Sequence, residues 1–143
     1  MTPHPGEAAR LLGDSTQDIS RDRFAALSRL AEKYTATVVL KGAGTLVQSS
    51  RDVPAVCGGG NPAMASGGMG DVLTGMIAGL VAQKCTAAEA ACAGVYLHGL
   101  AADILARETP WGYLATDVME AVPYAIEEIM SNPPPLPVGV PIL

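Results

Sequence analysis

Asp71 stands where a glycine-rich run stops and an apolar run begins, in Gly58-Gly59-Gly60-Asn61-Pro62-Ala63-Met64-Ala65-Ser66-Gly67-Gly68-Met69-Gly70-Asp71-Val72-Leu73-Thr74-Gly75. Seven of these eighteen residues are glycine, which lets a backbone fold tightly and present its N–H groups to a ligand. A glycine-rich turn leading into a helix N-terminus makes an anion site, because unpaired N–H groups and the helix dipole point the same way. A carboxylate at the rim of that site suits a base that takes a proton from a hydroxyl about to accept phosphate. Asp71 is thus the candidate catalytic residue, with Gly67, Gly68 and Gly70 as the phosphate-facing turn. The plainer reading, a first-turn acid that favours the helix electrostatically, is compatible with it.

Two further segments carry polar groups that such a site would use. Lys41-Gly42-Ala43-Gly44-Thr45 follows a predicted strand end, where α/β folds place ligands. Alone it reads equally as a hairpin turn with a solvated lysine; beside the loop at 58–71 it favours nucleotide contact. His4, flanked by Pro3 and Pro5, has a stiff backbone and a pre-positioned ring, against the plainer reading of a surface residue or local cap. Glu7 reads as a first-turn acid. His98, in apolar helical sequence, reads as a packed or partner-bonded core histidine, and Trp111 as a loop anchor. Met64, Met69 and Met76 read as gap fillers near the loop.

The elements that must hold these residues follow from local pattern. A proline-stiffened loop at 2–7 precedes a short helix at 8–12 that Gly13 can terminate. Ser20 can cap a second helix with Phe24, Leu27, Leu30 and Ala31 on one face. Thr37–Leu40 is β-branched and predicts a buried, parallel strand. Thr45–Val47 predicts a second strand, and Val53–Val56 a third weakened by Pro54. The apolar run at 72–81 predicts a buried helix. Thr86-Ala87-Ala88-Glu89 forms a capping box for a long helix to about Arg107. A last helix runs from Thr116 or Asp117 to Met130, bent at Pro123. A proline-rich tail occupies 132–143. The pattern predicts an α/β layered fold, with a mainly parallel sheet covered by helices. The chain opens on a loop of the kind that follows a parallel strand. Few strands are legible for five helices, so residues 1–131 read as the later part of a larger domain, incomplete at its N-terminus.

Composition sets the outer bounds. With 143 residues, 49% of them hydrophobic and only 4% aromatic, the chain has one domain's length and a core built through small side chains. A formal charge of −5 without a Lys/Arg cluster argues against nucleic-acid polymers and anionic membranes as partners. Three cysteines, with no C-x-x-C pair, point to a reduced, cytoplasmic protein and to neither a metal site nor a disulfide scaffold. The opening Met1-Thr2-Pro3-His4-Pro5 does not read as an export signal, and the apolar run at 72–82 is too short to span a bilayer.

The residues Thr2-Pro3-His4-Pro5-Gly6-Glu7, Lys41-Gly42-Ala43-Gly44-Thr45 and Gly60–Gly75, in that order, resemble the carbohydrate-kinase-like NAD(P)H-hydrate dehydratase family. Tyr96-Leu97-His98-Gly99-Leu100-Ala101-Ala102-Asp103 is similar to that family's following helix. The resemblance spans residues 2 to about 130. A glycine-glycine-x-glycine-aspartate turn alone fits any ribokinase-like protein, and it is the T-P-H-P-G-E loop with the G-N-P-x-M-A lead-in that narrows it. Ala63 departs from the usual glycine there, and the first half of the family's domain is missing.

What the resemblance implies is a ribokinase-like fold and the conversion of hydrated NADH or NADPH to the normal cofactor, driven by ADP or ATP with Mg²⁺. Asp71 would deprotonate the ring hydroxyl, and the phosphate transferred to that oxygen would leave as the ring double bond re-forms. By the same likeness Lys41, Gly42, Ala43, Gly44, Thr45 and Gly70 contact the nucleotide, with Gly67–Gly70 stabilising the moving phosphoryl group. His4 and Asp71 face the hydrated substrate. The family also implies a homo-oligomer, or pairing with the missing upstream segment. A ribokinase-like kinase for a vitamin precursor, which would not need the His4 loop, and an inert nucleotide-binding fragment are the alternatives.

Overall fold

The side chains of β1 (Thr37–Leu40) and β2 (Thr45–Ser49) alternate between two separate cores, which defines the layers of the molecule. The structure is a computed structural model, and it describes residues 1–133 except Arg51. Val38, Leu40 and Leu46 point to one face, where they meet Ala26, Leu27, Leu30 and Ala31 of α3 (Arg23–Tyr34) and Ala8 and Ala9 of α1 (Pro5–Leu12). Ile19 of α2 (Thr16–Arg21) completes that core. Val39 and Val47 point to the other face, against Leu73 of α4 (Met69–Ala82) and Ala91 and Val95 of α5 (Ala87–Glu108). This is the period of two that a strand imposes on its side chains. Beyond the sheet, α6 (Ala115–Ser131) packs Val118, Ala121 and Ala125 against Ala101 and Ala102 of α5 and Met69 of α4.

The expected α/β layering holds, and the strand polarity is corrected. β1 pairs with β2 and β2 with β3 (Ala55–Cys57), both antiparallel, with Val39 opposite Val47 and Leu46 opposite Val56. The reason is the length of the connections: a parallel crossover needs a dozen residues or more, and Lys41–Gly44 supplies only a hairpin. Parallel pairing does occur on the free edge of β1. Met1 N donates to Thr37 O at 2.8 Å, Val39 N to Met1 O at 2.8 Å and Lys41 N to Pro3 O at 2.9 Å. Residues 1–3 therefore run as an extended neighbour of β1 and deliver His4 beside Lys41.

Helix starts follow their caps more closely than the predicted bounds do. His4 caps α1, whose first position is Pro5, and Gly13 closes it in the left-handed conformation. Ser20 lies inside α2, which Ser15 caps, and Asp22 caps α3. Phe24 is exposed, because α3 begins one residue before it and turns it from the core. The Thr86–Glu89 capping box forms as expected. Pro123 is accommodated inside α6. Of the predicted tail, all beyond Pro133 lies outside the described residues. The expectation of a buried helix at 72–81 is overturned: in α4 only Met69 and Leu73 are buried, and Val81 is 45% exposed. Among the described residues α4 is covered by α5, by the sheet at Leu73 and by α6 at Met69, and its remaining face is open.

Small residues set the spacing of α5 from its neighbours. A Cβ on Gly99 would lie 3.1 Å from Gly59 C and 3.2 Å from Gly60 N, both backbone atoms with no rotamer to yield. Gly99→Ala is expected to destabilise the fold by about 1–3 kcal/mol, as overpacking does. Gly79→Ala, at an exposed helical position with nothing within 4 Å of the new methyl, is expected to stabilise by about 0.5–1 kcal/mol. Urea unfolding of the two variants checks both signs.

Candidate active site

α4 begins without a side chain over its N-terminus. Its N-cap is Gly68, at φ 85° and ψ −17°, a left-handed conformation that a side chain would strain. Asp71 N and Val72 N both donate to Gly68 O, at 3.0 and 3.1 Å. The N–H groups of Gly67, Gly68, Met69 and Gly70 make no hydrogen bond to the described residues. Four donors, two in the first turn of the helix and two just before it, are left open, which is what an anion-binding turn requires. The Asp71 carboxylate makes no hydrogen bond or ion pair with the described residues and is exposed. It does not cap its own helix, but it stands in the first turn of α4, so the plainer reading of a helix-favouring acid holds beside the catalytic one.

Lys41 crosses to this turn from the end of β1. An ideal Cβ built on Gly70 would sit 2.8 Å from Lys41 Nζ, so the ammonium lies against the Gly70 backbone and occupies the space a side chain would take. The solvated-lysine reading is thereby excluded, since the side chain is only 25% exposed. Lys41 Nζ also stands 3.8 Å from Glu7 Oε2. Glu7 is the hub of the third segment: it accepts from His4 N at 2.7 Å and lies 3.6 Å from His4 Nε2. The His4 backbone N–H, and then the nearby charges of Lys41 and Arg10, hold the Glu7 carboxyl below the usual carboxylate range. His4 Nδ1 accepts from Gly6 N at 3.0 Å and Glu7 N at 3.2 Å. That leaves the ring proton on Nε2, a donor facing outward beside Glu7. A hydroxyl pair ties the same loop to α4: Thr2 Oγ1 lies 3.0 Å from Thr74 Oγ1, which donates to Gly70 O at 2.8 Å.

The rest of the 41–45 segment is shaped from below. Thr45 Oγ1 donates to Gly42 O at 3.0 Å, and Arg23 of α3 donates to Ala43 O at 2.6 Å and Leu40 O at 3.2 Å. The glycine loop is anchored from α5. Asp103 accepts from Gly60 N at 2.8 Å and from Asn61 Nδ2 at 3.0 Å, and Asn61 Oδ1 accepts from Ala63 N and from the Tyr113 hydroxyl. Ala63 sits at negative φ in the 3₁₀ turn Pro62–Met64, so the missing glycine costs nothing there.

The structure thus brings His4, Lys41, Gly67, Gly68, Gly70 and Asp71 to one place, with Gly42, Ala43, Gly44 and Thr45 in the loop adjoining Lys41. Sequence reasoning missed Arg23, Asp103 and Tyr113. A cation at the first position of a helix works against the dipole, and that misfit was the available signal for Arg23. Trp111 is not the anchor of its loop, being 63% exposed; the anchor is Tyr113, whose phenol burial pushes up in pKa. His98 is packed as expected but has no partner, its Nε2 being buried and unpaired. No group of three or more His, Cys, Asp or Glu could hold a metal ion among the described residues.

This geometry has close relatives among known proteins. A dehydratase from Bacillus subtilis, ADP/ATP-dependent and co-crystallised with ATP/Mg²⁺, superposes with a TM-score of 0.84 at 31% identity, over 89% of this chain and 46% of that one. The bifunctional NAD(P)H-hydrate repair enzyme of Coxiella burnetii is 55% identical over 119 residues, 82% of this chain and 24% of that protein. The ADP-dependent (S)-NAD(P)H-hydrate dehydratase of Neisseria meningitidis is 50% identical over 105 residues, 73% of this chain and 36% of that protein. The architecture is therefore that of the ribokinase-like α/β enzymes. Residues 1–124 match the NAD(P)H-hydrate dehydratase model of the Carb_kinase family, and the chain belongs to that family. It spans about a quarter to a half of the length of the relatives it matches.

Burial pushes the His98 imidazole below its ordinary pKa. The unfolded chain therefore takes up a proton below about pH 6.5 that the folded chain refuses. Stability is expected to fall as pH drops from about 6.5 to 5, above the range where carboxylates titrate. Urea midpoints across this window check it: His98→Leu should remove most of the slope, and an unchanged slope would refute the assignment.

Proposed function

We propose that residues 1–131 are the nucleotide-binding and catalytic portion of an ADP- or ATP-dependent dehydratase of hydrated NADH or NADPH, a carbon–oxygen lyase. The observation that carries this reading is the unfilled N-terminus of α4, with the free Asp71 carboxylate on its first turn and the Lys41 ammonium against Gly70. An oxyanion of a terminal phosphate fits that space: four open N–H donors face it and a cation borders it. The nucleotide, with Mg²⁺ carried on its phosphates, supplies a transferable phosphoryl group.

The chain's own residues then have distinct tasks. Asp71 takes the proton from the hydroxyl of the hydrated ring as that oxygen forms its bond to phosphorus. The N–H groups of Gly67–Gly70 and the charge of Lys41 hold the equatorial oxygens of the moving group. The ring carbon–oxygen bond then breaks, phosphate departs, and loss of a proton from the neighbouring ring carbon restores the double bond. His4, with its Nε2–H outward and its loop tied to α4 through Thr2 and Thr74, lies on the substrate side. Lys41, Gly42, Ala43, Gly44 and Thr45 contact the nucleotide. Three free cysteines support a reducing, cytoplasmic setting.

A second reading, that turnover needs further polypeptide against this chain, is favoured by the uncovered face of α4. A groove of about 490 Å³ beside it is lined by Met1, Val39, Ile77, Val81, Ala87 and Ala91 at the end of the sheet away from Asp71. An upstream segment of the domain, or a second copy, is the partner this apolar surface fits. No helix of the described residues is long and apolar enough to cross a membrane.

Recovery of nicotinamide absorbance from hydrated NADH or NADPH with ADP or ATP tests the assignment. Asp71→Asn is expected to lower that rate about 10²- to 10⁴-fold, the usual worth of a general base. Undiminished turnover in the variant would remove Asp71 from the mechanism. Phosphorylation of a vitamin alcohol without hydrate turnover would instead identify a kinase of the same fold. Nucleotide binding without turnover, restored by adding the upstream half of a relative's domain, would establish the second reading.

A further inference from the structure

The 41–45 segment has no helix to align its N–H groups, so something else must turn them outward. In a planar trans peptide the C=O and the following N–H point to opposite sides. Arg23 Nη1 holds the Ala43 carbonyl at 2.6 Å, which aims the Gly44 N–H away from Arg23. Thr45 Oγ1 holds the Gly42 carbonyl at 3.0 Å, which aims the Ala43 N–H away from Thr45. Neither N–H has a partner among the described residues. Arg23 Nη2 grips the preceding Leu40 carbonyl at 3.2 Å, so one guanidinium spans both ends of the bend. A Cβ on Gly42 would lie 3.2 Å from Arg23 Nη2, and Gly42 is at φ 144°, so the segment closes on the guanidinium only because it carries glycine there.

The charge of Arg23 is also left available. It makes no ion pair among the described residues, and the neighbouring Asp22 carboxylate is committed to Ala25 N at 2.9 Å. Its Nε is buried without a partner. A guanidinium placed at the first position of α3, against the dipole of its own helix and unneutralised, is explained if its field acts on the loop it holds.

We propose that Arg23 is the positioning residue of this loop: its two-pronged grip fixes the bend, turns the Gly44 N–H toward a bound nucleotide beside the Ala43 N–H that Thr45 orients, and sets a positive charge behind them. This rests on the reading of 41–45 as a nucleotide contact, and two measurements keep the claims apart. The first is the backbone ¹⁵N order parameter of residues 42–44 in this chain without ligand. Arg23→Lys, which keeps the charge but cannot span two carbonyls, and Arg23→Gln should drop these values below about 0.6. The amides of α1 and α5 should be unchanged. The second is affinity for ADP and for adenosine, which lacks the phosphates. Both variants should bind ADP about tenfold more weakly, the size of one lost charge-assisted bond, with adenosine binding unaltered and Arg23→Lys the milder of the two. Arg29→Gln, which removes only the surface pair with Asp14, should change neither readout. A loop that stays ordered in the Arg23 variants overturns the proposal, and so does ADP affinity that stays at the wild-type value. A wild-type chain that binds no ADP would contradict the nucleotide reading, and loop order would still decide the role of Arg23.

Discussion

The packing of the Lys41 ammonium against the backbone of Gly70 is the contact on which the site depends. Lys41 belongs to the sheet and Gly70 to the first turn of α4, so their approach fixes how the helix N-terminus sits over the strand end. The absence of a side chain at Gly70 leaves the room for this approach: a Cβ would stand 2.8 Å from Nζ and displace the ammonium. The same approach puts a cation beside four open N–H donors, a pairing that is unfavourable for an empty helix N-terminus and favourable once an anion lies between them. The fold therefore keeps an electrostatic demand unsatisfied at this place, which a bound anion would satisfy.

Around that contact each element has a plain positioning task. The extended residues 1–3 lie on β1 and bring the His4–Glu7 cap beside Lys41. The hydroxyls of Thr2 and Thr74 join that cap to the turn carrying Asp71. Asp103 and Asn61 pin the start of the glycine loop to α5, where Gly99 allows backbone to lie on backbone. Three segments far apart in sequence are thus joined through Glu7, Lys41 and the first turn of α4. None needs a large aromatic core, which accords with a chain rich in alanine and glycine.

Much of this was legible in the sequence, and what was not has a common cause. The glycine turn, the Lys41 segment, the Thr86–Glu89 box and the strand at 37–40 are local signals, each decided within a few residues. Arg23 and Asp103 act on partners 17 to 43 residues away, and no local pattern announces such a bond. The polarity of the sheet was open to reading from the four-residue connection after β1, yet β-branched composition suggested a parallel strand. The α4 helix shows the limit most clearly. Hydropathy reports that a helix is apolar all round, but burial depends on what lies opposite, and here one face lies open. Trp111 and Tyr113 exchange roles for the same reason, since the anchor is whichever ring finds a polar partner, and Asn61 is within reach of Tyr113.

The most direct measurement of the central claim is a ¹H–¹⁵N NMR titration of this chain with ADP. If the open N-terminus of α4 and the loop at its side are the phosphate site, the largest amide shifts will fall on Gly67, Gly68, Met69 and Gly70, followed by Ala43 and Gly44. Shifts concentrated instead around Met1, Ile77 and Val81, at the far groove, or spread evenly over the surface, would contradict it.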